Sequence, residues 1–491
     1  MSPASGGAAL ESMPLPAEAP ADLAAGTMAP TPVATPDTMF FENYGVNPFI
    51  DTEDDRLSTF AMDVDTGSYT VARRYVQDGI LPPKDAIRVE EFVNYFDYNY
   101  PLPDEGQTFA VHLEGSPSPF GQTDRYEMVR IGIQGYAIPP EARQDVALTF
   151  VIDVSGSMDR EDRLTLVKRA LTLLVEELRP TDSVAIVVYG SDARAVLPPT
   201  RGDEKDRILS AIYALNPEGS TNAEAGLLLG YAQAEIAYDA ERINRVILLS
   251  DGVANVGQTG PEAILRTIEE YAMRGVYLTT VGFGLGNYND VLMEQLANQG
   301  DGIYAYVDNI REARRIFVED LSGTLQAIAK DAKVQVDFNP EVVARYRLLG
   351  FENRAIADDE FRDDTVDAGE IGAGHSVTAL YEIKRHPDVE GPIATVYLRW
   401  QDPQSREVSE VNVTLDSAQL TPAFTETSPS FQLAVIVAEY AEVLRESYWA
   451  QENTLAGVQE EAERIGGLFE GNADVEEFVE LTGRAARLPK E

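Results

Sequence analysis

The chain has 491 residues, too many for one hydrophobic core, and its 44% hydrophobic content is enough to fill two to four domains. Its 82 acidic residues outnumber 39 basic ones, and the net charge of −43 repels phosphate backbones and anionic lipid, which argues against nucleic-acid binding. Cysteine is absent, so disulfides, zinc–thiolate centres and thiol catalysis are excluded, and no apolar run reaches the ~20 residues that span a bilayer.

Residues 1–38 are Ala, Pro, Gly, Ser and Thr with scattered acids, a composition that buries too little surface to offset its ordering entropy, and a disordered tether is expected. The first basic residue is Arg56, so the amino terminus lacks the charged region of a secretory signal. The expectation is either a cytosolic protein or one whose leader has been removed. Over 39–140 a small α+β module is expected. It has helical patterning in Tyr69–Gln77 and Val89–Phe96, and strand alternation in Phe109–Leu113 and Glu127–Gln134 that should pack against the next segment of the chain.

From 145 to 325 the pattern changes to apolar strands separated by amphipathic helices. Val146–Ile152 is a near-continuous apolar run, as in a strand covered on both faces. Leu164, Val167, Leu171, Leu174 and Leu178 then recur at helical spacing. Strands at Ser183–Tyr189, Arg245–Leu249, Val276–Val281 and Ile303–Tyr306 alternate with helices at Asp203–Leu215, Ala223–Ala237, Pro261–Arg274 and Asp290–Asn298. Such alternation predicts an α/β fold with a doubly wound, mostly parallel sheet. Residues 330–491 read as a β-rich module with strands between Lys333 and Leu415. It ends in helices at Phe431–Ser447, Thr454–Leu468 and Val475–Leu488, which are expected to close that module or brace the central sheet.

Ligands of open parallel sheets bind beyond the carboxyl ends of the strands. Asp153 and Asp251 each follow an apolar strand, in FVIDVSGSM and VILLSDGVANVG, so both carboxylates should project from the same edge. Ser155 and Ser157 alternate in the turn after Asp153, with Gly156 between them expected to allow a tight backbone. Thr221, in EGSTNAEAG, precedes a helix and offers a third hydroxyl. Its neighbour Asn222 reads as that helix's cap. All five side chains are hard oxygen donors, a set that suits Mg²⁺, with Mn²⁺ or Ca²⁺ as substitutes. Two carboxylates and three hydroxyls under-coordinate a six-ligand ion, so water and a partner's carboxylate can complete it.

Asp153, Ser155, Ser157, Thr221 and Asp251 together match the metal-ion-dependent adhesion site of the von Willebrand factor type A domain, which reads Asp-x-Ser-x-Ser, then Thr, then Asp. The chain resembles that family over roughly 145–325. The resemblance implies a Rossmann-like fold and metal-dependent protein binding, with Ser155, Ser157 and Thr221 touching the metal directly and the aspartates direct or through water. The flanks, including STFAMDVDTGSYTVARRYVQDGILPPKDAIRVEEFVNYFDYNYPLP, resemble one bacterial group of such proteins, whose members are commonly exported and often lipid-anchored. This chain departs from that group in having no cysteine, and its first residues do not read as a leader. The resulting expectation is a non-enzymatic, extracytoplasmic binding protein, with an intracellular assembly factor and a metal-assisted hydrolase as the alternatives.

Other motifs carry less. Asp65-Thr66-Gly67-Ser68 is similar to an aspartic protease signature, but no second Asp-Thr-Gly exists to share a proton. Asp63-x-Asp65-Thr66 is similar to the haloacid-dehalogenase nucleophile motif, yet helices and Pro82-Pro83 come next instead of a strand–helix series. A helix start, with Asp65 or Thr66 bonding backbone amides, explains the same residues. His112, His375 and His386 lie far from the cation motif and read as surface or capping residues. The Gly282–Gly286 stretch lacks the P-loop lysine and reads as a sheet-end loop.

Overall fold

The computed structural model describes residues 41–489 apart from 63, 121–125, 253–260, 285–287, 320–324 and 367. The tether expected over 1–38 lies outside the described residues. The chain opens with β1 (Ile50–Asp51), β2 (Leu57–Ala61), α1 (Gly67–Gln77) and α2 (Val89–Val93), then the hairpin β3 (Phe109–Pro117) and β4 (Tyr126–Gly135). The next stretch is β5 (Val146–Asp153), α3 (Leu166–Glu177), β6 (Ser183–Tyr189), β7 (Ala193–Arg201), α4 (Lys205–Tyr213), α5 (Ala223–Ala237) and β8 (Ile243–Ser250). It continues through α6 (Pro261–Met273), β9 (Val276–Phe283), α7 (Asp290–Gln299), β10 (Tyr304–Val307) and α8 (Ile310–Arg314).

These strands form one sheet in the order β10-β9-β8-β5-β6-β7, parallel throughout except for β7. Every residue of β5 and of β8 is buried, which is why both read as apolar runs rather than alternating ones. Leu148, Phe150 and Ile152 point to a layer built from α3, α4 and the segment after α8. Val151, Val246 and Leu248 point the other way, to α5, α6 and α7. The fold is therefore doubly wound. Sequence reading misses β7 because Pro198 and Pro199 cannot serve a central strand; the chain keeps them by placing β7 at the sheet's edge.

Beyond it come β11 (Ala327–Phe338), β12 (Val343–Leu349), β13 (Gly369–Gly372), β14 (Ser376–Arg385), β15 (Pro392–Gln401) and β16 (Val408–Asp416). Helices α9 (Pro429–Leu444), α10 (Leu455–Gly466) and α11 (Ala473–Ala485) end the chain. Two antiparallel sheets pack face to face, one ordered β1-β12-β14-β4-β3 and the other β13-β11-β15-β16, with β2 also on β11. Their shared core includes Phe60, Ile131, Ile133, Val334, Val336, Val377 and Leu398. The early hairpin thus does not pair with the strand that comes after it. Strand β4 pairs with β14, Ile131 opposite Ala379, so the chain completes this sandwich only after passing through the parallel sheet. The physical reason is edge satisfaction: β4 has backbone groups on both sides, and β5 is already flanked by β6 and β8.

The terminal helices cover the outer face of the first sheet, where Met128, Leu349 and Leu380 meet α9, and they also enclose α1 and α2. Helix α9 is buried at nearly every position, which explains its apolar character all round. No helix among the described residues is long and apolar enough to cross a membrane.

Candidate functional site

Three loops meet at the carboxyl edge of the parallel sheet. Asp153 ends β5, is fully buried, and accepts a hydrogen bond from the Ser155 amide at 2.8 Å. The hydroxyls of Ser155 and Ser157 stand 2.9 Å apart, with Ser155 buried and Ser157 half-buried. Two oxygens on adjacent corners of an Mg²⁺ octahedron with ~2.1 Å bonds stand about 3.0 Å apart, so this pair fits such an ion.

The second loop carries Thr221. Its neighbour Gly219 accepts the Gly156 amide at 3.1 Å, while Glu218 donates its own amide to Val154 O, which ties this loop to the first. Thr221 is half-buried, and Asn222 caps α5 by accepting the Ala225 amide at 3.2 Å. The glycine expected to matter, Gly156, has an ordinary backbone, and a Cβ there would meet nothing nearer than Gly219 O at 3.6 Å. The constrained residue is Gly219: φ is +74°, and a Cβ would fall 2.5 Å from Ser191 Oγ.

Asp251 follows β8, buried like Asp153, and its carboxylate is paired with Arg163. Ser250, the last residue of β8, donates to the second oxygen of the Asp153 carboxylate at 3.1 Å. Burial pushes the Asp153 carboxyl up to about 6 against the hydrogen bonds from Ser155, and the neighbouring charge of Asp251 pushes it the same way. Sequence reasoning misses Ser250 and Arg163. Ser250 leaves a trace, a hydroxyl at the end of an apolar strand; Arg163 leaves none, because nothing local in the sequence links it to Asp251.

Among the described residues no three carboxylate, imidazole or thiol groups cluster as a metal site. The candidate donor set is instead two carboxylates and three hydroxyls, and its chemistry fits a hard divalent cation.

The remaining motifs are taken up by structure. Asp65 accepts the Tyr304 amide at 3.0 Å and an Arg354 N–H at 3.2 Å, and so latches the amino-terminal segment to β10. It does not cap α1. Thr66 holds the cap position without a side-chain cap bond, and the Ser68 amide is met by Glu91 of α2 at 2.7 Å. Asp63 lies outside the described residues. His112 and His386 reach the carbonyls of Pro101 and Pro340, and burial pushes His375 down to about 4. Of the Gly282–Gly286 stretch, Gly282 belongs to β9, and 285–287 lie outside the described residues.

Comparison with known proteins places three family models along the chain: von Willebrand factor over 35–130, von Willebrand factor type A domain over 147–321, and the carboxyl-terminal region of the uncharacterized protein YfbK over 323–391 and 384–488. The uncharacterized protein YfbK of Escherichia coli K12 is 35% identical over 476 residues, which is 92% of this chain and 82% of that protein. Inter-alpha-trypsin inhibitor heavy chain H3 of Homo sapiens is 30% identical over 254 residues, 50% of this chain but only 25% of its own length. Among solved structures, a von Willebrand factor type A protein from Catenulispora acidiphila matches 79% of this chain and 91% of its own at 16% identity, with a TM-score of 0.46.

Proposed function

Because the chain belongs to the von Willebrand factor type A family, in the group represented by YfbK, we propose that its central domain captures an acidic group of a protein partner through a divalent cation. Domains of this family mediate protein interactions. In this reading Ser155, Ser157 and Thr221 supply neutral oxygens, Asp153 and Asp251 supply charge, and the protein binds rather than catalyses. The ion, Mg²⁺ by preference and Mn²⁺ or Ca²⁺ in its place, contributes a positive charge that a partner carboxylate can approach. The observation that carries the proposal is the convergence of loops from the ends of β5 and β8 and the start of α5, with the Ser155 and Ser157 hydroxyls of the first loop 2.9 Å apart.

Calorimetric titration with MgCl₂ tests it. Wild-type protein should bind one equivalent, and Asp153→Ala should bind none while keeping its circular dichroism spectrum. Undiminished Mg²⁺ affinity in that variant would refute the ligand assignment. The reading also puts the protein outside the cytoplasm. Cell fractionation that finds it only with cytoplasmic proteins would favour the intracellular assembly factor.

A further inference from the structure

Arg163 stands just ahead of the helical repeat that begins at Leu164, and its own backbone is not helical: φ is −123° and ψ is −108°, a break within residues 161–165 before α3. The break turns the side chain inward, leaving Arg163 only 4% exposed. One guanidinium nitrogen, Nη1, donates to Ser157 O at 2.8 Å and also to the Asp251 carboxylate. A single cationic group therefore joins the loop after β5 to the loop after β8. Its stem lies over Gly284, whose φ of +74° suits glycine; a Cβ there would stand 2.5 Å from Arg163 Cγ and 2.6 Å from Nε. The helix break, the glycine floor and the two acceptors all fix the same guanidinium in place.

We propose that Arg163 is a built-in counter-charge that weakens the site's hold on its cation and in exchange leaves the bound cation with a surplus positive charge for an acidic ligand. The inference rests on the five-ligand reading of the site. Two carboxylates alone would cancel a dication and leave little pull on a third acid. With a guanidinium held on Asp251, the same ion keeps one net positive charge, which a carboxylate from a partner neutralises. Arginine stays protonated at any physiological pH, so this bias is permanent. The buried setting strengthens it, because charges shielded from water interact at a lower effective dielectric. The class of ligand favoured is anionic; neutral and basic groups gain nothing from the surplus charge.

Titration with MgCl₂ alone, comparing wild type, Arg163→Gln and Arg163→Lys, decides the matter. Removing the charge should tighten Mg²⁺ binding about tenfold, the scale on which one adjacent charge shifts a carboxylate's affinity for a proton. Lysine should stay within about threefold of wild type, since it keeps the charge. Equal or weaker binding by Arg163→Gln means that Arg163 only braces two loops, and it overturns the proposal while the five-ligand reading stands. A wild-type protein that binds no Mg²⁺ overturns both. Should Arg163→Gln fail to fold by circular dichroism, Gly284→Ala is read instead, because its methyl pushes the arginine stem off Asp251. The same tightening is expected there, and no tightening again counts against the proposal.

Discussion

Two buried charge clusters in this molecule use the same residue types to opposite ends. At the junction of α1, α8 and α11, the Arg73 guanidinium reaches Asp308 at 2.8 Å, Glu312 at 2.9 Å and Glu477 at 3.1 Å. Arg315 adds a bond to Glu312 at 3.0 Å, Arg311 pairs with Glu477, and the Tyr95 hydroxyl both receives from Arg73 and donates to Glu312. Three arginines thus face three carboxylates, with Asp474 a further 3.7 Å from Arg311 at the rim. At the sheet edge, two carboxylates face one arginine: Asp251 pairs with it, while Asp153 is met by the Ser155 amide and the Ser250 hydroxyl. The consequence shows in the acids themselves. Burial raises Glu312, but Arg315 and Arg73 overcome it and hold the carboxyl below its ordinary range; burial raises Asp153 to about 6 and nothing overcomes it. The balanced cluster fastens the amino-terminal helix, the central sheet and the last helix together, whereas the unbalanced one keeps negative charge that a cation can take up.

The sharpest way to break this comparison is to unbalance the junction. Arg73→Ala leaves buried acids without their central partner and should cost about 3–5 kcal/mol in chemical unfolding, the range for breaking a buried pair from one side. A loss under about 1 kcal/mol would mean that Arg311 and Arg315 suffice. The next largest effect is expected at Glu439 on α9, an acid with no arginine in hydrogen-bonding contact among the described residues. Burial pushes it up to about 8, the charge of Glu442 adds to the rise, and Asn453 donates to it at 2.7 Å. Between its unfolded range and pH 8 the folded protein holds a proton that the unfolded chain has released, so stability falls as pH rises across that window. Glu439→Gln keeps the acceptor for Asn453 and removes the titration. It should stabilise by roughly 2–4 kcal/mol at pH 8 and by almost nothing at pH 4, read from thermal melts at both. Parallel melting curves for the two proteins across that range would contradict the assignment.

How much of this was open to sequence reading depends on range. The parallel sheet is legible because β5 and β8 are buried on both faces and the intervening helices repeat every three or four residues. The candidate ligands are legible as a pattern, since their types and strand-end positions are local facts. The sandwich is not, because the pairing of Ile131 with Ala379 is a contact between segments that no local pattern connects. Nor are the backbone angles. Gly156 looks essential and is not, while Gly219 looks incidental and holds the left-handed conformation that the loop requires. Arg163 escapes for the same reason: it stands one residue before the helical repeat that begins at Leu164, and only the structure reveals the break that turns it toward Asp251.

At the sheet edge the expected sign reverses. Asp153→Asn keeps an oxygen for the Ser155 amide and removes a buried charge that the folded state holds at a cost. Because the folded acid titrates near 6, stability is lost as pH rises through that value, and the amide abolishes the loss. The variant should lose Mg²⁺ binding and yet unfold about 1–2 kcal/mol later in urea at pH 8. Destabilisation on the scale of Arg73→Ala would instead place Asp153 among the structural acids. The smallest effect separates cap from ligand. Asn222 accepts the Ala225 amide at the start of α5, and Asn222→Ala should cost about 1 kcal/mol of stability with Mg²⁺ affinity kept within about twofold. If that affinity falls tenfold or more while Thr221→Ala leaves it intact, the oxygen donor of this loop is Asn222, and the candidate set shifts by one residue at its only position contributed by a helix start.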